Sequence, residues 1–352
     1  MYNKISPEYL VRNADSFTII DVRTPDEFED GHIPGAVNMP LFSNEERVII
    51  GTIYKQNSPQ LAIEKGLEIS GPKMVTFLKT AKNVAKDKPL CIYCWRGGKR
   101  SGSIGWLLDF SGMEVSVIEG GYKAYRQFQK KYFAEETFQF IILGGKTGSG
   151  KTEILHALEK AGEQIVDLEK LANHKGSAFG WISENPQPSN EQFSNELLSH
   201  FIGKDLSQPI WLENESKGIG RVFIPEELWK KIRISLLINL EVPFESRIDR
   251  LVQIYVNDNP DDLIESFNKI KKRLGGQNIK DAIEAIESGE LRKSAEIALK
   301  YYDKTYQYHL ENNNWPAIIH LEPKSLETTN IANELINLKE NLKLNGVQTD
   351  SL

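Results

Sequence analysis

One cysteine, two glycines and three cations fall within seven residues, Cys94-Trp95-Arg96-Gly97-Gly98-Lys99-Arg100, and this grouping can activate a thiol. Gly97 and Gly98 let the backbone curl with its amides inward, while Arg96, Lys99 and Arg100 supply positive charge. In such a setting a thiol pKa falls from about 8.5 to between roughly 3.5 and 7.5, so Cys94 is expected to be thiolate at neutral pH. A second loop, Gly145-Lys146-Thr147-Gly148-Ser149-Gly150-Lys151-Thr152, matches G-x-x-x-x-G-K-[ST]. It leaves an apolar run and enters a helical one, the context in which this motif cradles a diphosphate. Gly145 makes the turn, the amides of Gly148, Ser149 and Gly150 wrap the phosphates, Lys151 bridges the outer oxygens, and Thr152 is the Mg²⁺ ligand. This loop has no nucleophile of its own. One chain therefore offers two anion sites of different chemistry.

Carboxylates accompany the second loop. Glu213 ends the apolar run Pro209-Ile210-Trp211-Leu212, where ATP-hydrolysing proteins usually carry Asp, so diphosphate binding is better founded than ATP hydrolysis. Thr152 and Glu213 are the expected metal-side pair. Asp167, Glu169, Glu213 and Glu215 are read either as metal ligands and a base or as partners of arginines and caps. Arg247 and Arg250 are either a phosphate clamp or surface charges. Cys91 lies three residues before Cys94 on an apolar run. On a strand that spacing points the two sulfurs to opposite faces, which makes Cys91 a core residue rather than half of a dithiol.

The elements that must hold these loops alternate between strand and helix. Strands are predicted over 17–22, 90–94 and 114–118, with a helix over 101–110, giving an α/β pattern with a parallel sheet. A fresh strand over 138–143 then runs into the glycine loop and a helix over 151–160. Later strands are predicted over 164–168, 209–213, 235–242 and 317–321. The division expected is 1–136 and 137–352, with a helical insertion over about 258–312 in the second domain and a frayed tail after Thr349.

At 352 residues with 40% hydrophobic and 26% charged residues, the chain is long enough for two ordinary cores. No stretch reaches the roughly 18–20 apolar residues that span a bilayer, and the first residues lack the apolar core of a signal peptide, so the expected location is cytoplasmic, with no membrane partner. A net charge of −6 gives no bulk attraction to nucleic acid, so any RNA surface must be local. Arg96, Lys99, Arg100, Lys123, Arg126, Lys130 and Lys131 are candidates for it. The oligomeric state is left open by the sequence.

The run Asp21-Val22-Arg23-Thr24-Pro25-Asp26-Glu27-Phe28 through His32-Ile33-Pro34-Gly35-Ala36, the Cys94 loop and Glu119-Gly120-Gly121-Tyr122 together resemble rhodanese domains over roughly residues 5–130. His32 is read there as holding a turn. Five residues separate Cys94 from Arg100, a loop length that also resembles dual-specificity phosphatases on the same fold and keeps phosphate-ester hydrolysis in view. Adding the glycine loop, Asp167-Leu168-Glu169, His174 to Gly180 and Glu213 to Gly220, the chain resembles the tRNA 2-selenouridine synthase family over nearly its whole length.

That resemblance implies an N-terminal rhodanese-like domain and a P-loop NTPase-like α/β domain with a helical subdomain. It implies a transferase acting on the wobble uridine of tRNA. The 2-thiouridine would be geranylated from geranyl diphosphate at the P-loop, and the geranylated sulfur would then be replaced by selenium from selenophosphate at Cys94, carried as a perselenide-type adduct. Both donors are cosubstrates, with no tightly bound cofactor. Asp167, Glu169, His174, Phe179 and Glu215 become substrate or base candidates, with Phe179 and Trp181 near the isoprenoid. Lys175 and Lys217 stand where arginine is expected. The alternative is a P-loop small-molecule kinase or ATPase with a rhodanese sensor module.

Overall fold

A computed structural model describes residues 2–344, so the tail expected to fray lies outside the described residues. The chain forms two compact units. One holds residues 1–135 together with 189–203, and the other holds 136–188 and 204–352.

In the first unit, β1 (Asn3–Ile5), β2 (Thr18–Asp21), β3 (Val37–Asn38), β4 (Leu90–Tyr93) and β5 (Val115–Ile118) form a wholly parallel sheet in the order β1-β5-β4-β2-β3. Every residue of β4 and β5 is buried, as expected of parallel strands covered on both faces. Ile92 pairs with Ile20 on one side and Val117 on the other, inside a core that includes Phe77, Ile104 and Leu108. Parallel strands put all their carboxyl ends on one edge. That edge gathers Cys94 after β4, Arg23 after β2 and Gly120-Gly121 after β5. Between β3 and β4 come three helices, Asn44–Gln56, Pro59–Ser70 and Met74–Ala85, the first started by a Ser43/Glu46 capping box.

The second unit repeats the principle with β6 (Phe140–Gly145), β7 (Gln164–Val166), β8 (Ile210–Glu213), β11 (Leu236–Leu240) and β12 (Ile318–Leu321), ordered β12-β11-β6-β8-β7 and all parallel. A small antiparallel pair, β9 (Gly218–Ile219) with β10 (Val222–Phe223), intervenes. The chain leaves β6 toward β7 and β8 on one side and later places β11 and β12 on the other. The glycine loop therefore sits at the topological switch point, where open α/β sheets bind ligands. Strand β7 stops earlier than predicted, because the Asp167 side chain accepts from the Lys170 amide (2.8 Å) and caps a helix that begins at Leu168. Four helices fill 260–312, as the sequence indicates, around a core of Phe179, Leu263, Phe267, Ile279 and Ala298.

The segment 189–203 departs from a linear division at residue 136. Its helix, Asn190–Phe201, packs in the first unit, where Asn195 donates to the Tyr122 hydroxyl (2.7 Å) and the His32 carbonyl (2.8 Å). Ser194 exchanges hydrogen bonds with Gln129.

Candidate active site

Cys94 is 3% exposed, yet it lines the floor of a large cavity in the first unit, with Trp95, Arg96, Gly98, Lys99 and Arg100 around it. Its pKa is drawn below the ordinary thiol value. Burial pushes it up, but the Ser101 hydroxyl and amide, the Arg100 charge and the Arg96 amide together outweigh that cost. Cys94 Sγ lies 3.2 Å from Ser101 Oγ. Cys91 is the contrast: it is fully buried on β4, and its thiol is pushed up to about 12 by desolvation alone. The parity argument from the sequence holds.

Three features fix the thiol loop. Arg100 donates to both oxygens of Glu27 (2.7 and 3.2 Å), and that carboxylate also closes the Thr24 capping box. Tyr122 N and Lys123 N each donate 2.9 Å bonds to the carbonyls of Cys94 and Trp95. Gly97 and Gly121, with φ of +62° and +60°, lie backbone against backbone. Beneath the loop, Arg23 is wholly buried against Asp21 (2.6 Å) and stacks 4.0 Å from the centre of the Tyr122 ring. Removing either partner would leave a buried charge uncompensated, costing about 3–5 kcal/mol. His32 stacks on Phe28 (3.8 Å between rings), with Nδ1 2.9 Å from the Phe28 carbonyl, the turn-holding role read from sequence.

In the second unit, Gly148 and Gly150 adopt φ of +81° and +82°. Their amides make no hydrogen bond among the described residues, whereas the Ser149 amide turns back to the Lys146 carbonyl (3.1 Å) rather than outward as expected. Ser149 Oγ is buried with no partner. Lys151 Nζ donates to the Gly145 carbonyl (3.0 Å), and the Gly145 amide donates to the Tyr306 hydroxyl (2.8 Å). Arg247 is neither a free clamp nor a surface charge. It pairs with both oxygens of Asp303 (2.8 and 2.7 Å) and donates to the Thr147 carbonyl (3.1 Å), fixing the loop from behind. The Arg250 guanidinium lies over Gly150 and pairs with Glu153 (3.1 Å).

The carboxylates do assemble here. Thr152 Oγ1 donates to Glu169 Oε2 (3.0 Å), so the acid beside Thr152 is Glu169 rather than Glu213. Glu213 Oε1 accepts from the Glu169 amide (2.8 Å), while its Oε2 is buried without a partner. Burial first, and then the neighbouring acids, push Glu213 well above the carboxylate range and Glu215 up to about 8, while Lys151 pulls Glu215 back down. Glu215, raised in this way, shares a hydrogen bond with Glu169. Among the described residues no group of three or more His, Cys, Asp or Glu side chains is arranged to hold a metal. Asp167 caps its helix and lies 2.7 Å from His156.

His174 is buried between Gly180 and Gly220 with Nδ1 unpartnered. Phe179 lines a small apolar cavity together with Thr147, Tyr255, Leu263, Phe267, Ala298 and Tyr302. Trp181 does not line it and instead bonds Ser266 (3.0 Å) under Lys269. Lys175 and Lys217 are engaged by Glu184 and Glu226.

Residues 6–128 match the Rhodanese-like domain model, and residues 138–332 match the model of the tRNA 2-selenouridine synthase AAA domain. A tRNA 2-selenouridine synthase of a Sulfurovum species is 36% identical over 84% of this chain and 89% of its own length. The chain belongs to the tRNA 2-selenouridine synthase family. Among the similar members, that of Nitrosomonas europaea is 38% identical over 69% of this chain and 64% of its own length, and that of Pseudomonas putida is 34% identical over 84% and 88%. As a tRNA 2-selenouridine synthase family member, the chain is an enzyme of the transferase class.

Within this family member the positions least visible from sequence are the supports: Glu27 and Ser101 at the thiol, Tyr306 and Asp303 at the P-loop. Gly121 is a support that can be tested. A Cβ there would collide with the Cys94 carbonyl and the Gly97 amide, at a φ that already disfavours side chains. Gly121→Ala is expected to cost about 2–4 kcal/mol and to slow alkylation of Cys94 as the loop shifts. A wild-type melting temperature together with a wild-type rate of reaction with iodoacetamide would refute this account.

Proposed function

We propose that the enzyme modifies the wobble uridine of tRNA in two steps, one at each anion site. In the first, the sulfur of 2-thiouridine attacks C1 of geranyl diphosphate, the allylic C–O bond breaks, and diphosphate leaves. Lys151 and the free amides of Gly148 and Gly150 stabilise the leaving group where its charge develops. The observation that carries this reading is adjacency: Thr147 of the glycine loop lines the same apolar cavity as Phe179, so an isoprenoid chain there would adjoin the loop that would hold its diphosphate. The buried, unpartnered Glu213 Oε2 beside the Thr152–Glu169 pair leaves an acceptor for a hard cation, and Thr152 with Glu169 and Glu213 would hold Mg²⁺. Such an ion adds Lewis-acid stabilisation of the diphosphate.

In the second step, selenium from selenophosphate replaces the geranylated sulfur at C2 of the base. Cys94 supplies a thiolate in a cavity whose cations receive the selenophosphate. The test is nucleoside mass spectrometry of a 2-thiouridine RNA incubated with the protein. Geranyl diphosphate alone should give the geranylated base, and adding selenophosphate should give 2-selenouridine. Recovery of unmodified 2-thiouridine in both reactions would reject the proposal.

A further inference from the structure

The cavity above Cys94 is much larger than selenophosphate requires. It holds about 1240 Å³, above the ~300–1,000 Å³ of ordinary small-molecule sites. Its far wall is the helix Asn44–Gln56, which contributes Arg47, Val48, Tyr54 and Lys55. Two aromatic rings of its lining stand exposed, Tyr54 at 60% and Trp95 at 37%, the latter braced by Tyr122 at 5.8 Å. Of the cations around it, Arg23 and Arg100 are held by Asp21 and Glu27. Arg47, Lys55, Arg96 and Lys99 make no ion pair or side-chain hydrogen bond among the described residues. Asp30 and Glu191 are the other carboxylates lining it, and Glu191 faces Arg126 (3.9 Å).

Exposed rings interleaved with unpaired cations are the composition that binds single-stranded nucleic acid, with bases stacking on the rings and phosphates meeting the cations. An acidic protein would use the cations but leave both rings idle. We propose that this wall docks the single-stranded anticodon loop. Tyr54 and Trp95 stack bases, Arg47 and Lys55 take the flanking phosphates, Arg96 and Lys99 stay with the selenophosphate beside the thiol, and the wobble base is thereby delivered to Cys94. This rests on the tRNA reading above and names the surface that serves it.

The test is fluorescence anisotropy with a short RNA hairpin bearing a 2-thiouridine anticodon loop, measured across a salt series on the full chain. The combined Arg47→Glu and Lys55→Glu variant is expected to bind at least about tenfold more weakly. It should also flatten the slope of log affinity against log salt by about 1.4, two phosphate contacts at roughly 0.7 each. Tyr54→Ala should lose about fivefold or more with little change of slope. All three substitutions lie on the cavity-lining face of the helix Asn44–Gln56, and unchanged melting temperatures confirm folding. Wild-type binding that survives both variants overturns this assignment alone, whereas a wild-type protein that does not bind the hairpin overturns the tRNA reading with it. A loss confined to the charge-reversal variant removes the stacking role and likewise overturns the proposal.

Discussion

Cys94→Ser is expected to abolish 2-selenouridine formation, by about 10³-fold or more, while geranylated RNA continues to accumulate. The argument is one of charge and electron count. At neutral pH a serine hydroxyl stays protonated in the same ring of amides, so the cavity keeps its shape and cations but loses its nucleophile. A perselenide on Cys94 would need an oxidant, because the thiolate sulfur and the selenium of selenophosphate both start fully reduced. Thiolate attack at C2 of the geranylated base needs none. On the proposed route the C–S bond to the geranylated sulfur would break, geranyl thiol would depart with a proton, selenium would then displace Cys94, and hydrolysis of the Se–P bond would release phosphate. The check is mass spectrometry of RNA treated with the variant and both donors. Wild-type 2-selenouridine from Cys94→Ser would remove Cys94 from the exchange, and loss of the geranylated product as well would show that the two steps are not separable.

Much of this division is legible in the residues. The glycine loop and the thiol loop both sit at strand–helix junctions, and local patterning is enough to locate such junctions. The opposite fates of Cys91 and Cys94 follow from strand parity alone. Contacts between distant parts of the sequence are not legible in this way. Nothing around Glu27 announces that it will meet Arg100, and the motif spacing that points to Glu213 as the partner of Thr152 is overridden because the helix capped by Asp167 brings Glu169 closer. Arg247 could not be resolved from sequence because its partner, Asp303, lies on the last helix of the helical insertion, 56 positions away. The helix Asn190–Phe201 is the clearest case. Its apolar face would suit any core, and its placement in the first unit is decided by Ser194 and Asn195 finding Gln129 and Tyr122, which only the folded chain brings together.

Lys151→Ala is the reciprocal experiment, and it is expected to lower geranyl transfer by about 10²–10³-fold, the usual cost of deleting one donor to a developing oxyanion. Exchange at Cys94, supplied with RNA already geranylated, should continue. Lys151 also has an electrostatic duty at rest, because its ammonium draws down both Glu169 and Glu215, acids that burial raises. Glu215 titrates near 8 in the fold against 4.5 in a free chain, so between those values the unfolded state has lost a proton that the folded state keeps. Stability attributable to this acid therefore falls as pH rises from about 4.5 to about 8 and is level above that. Without Lys151 the folded pKa climbs further, so the decline should extend to higher pH in the variant than in the wild type. Melting temperatures recorded from acid to mildly alkaline pH test this independently of activity. Parallel curves would mean that Lys151 does not compensate the buried acids, and unchanged geranyl transfer would remove it from the leaving-group site.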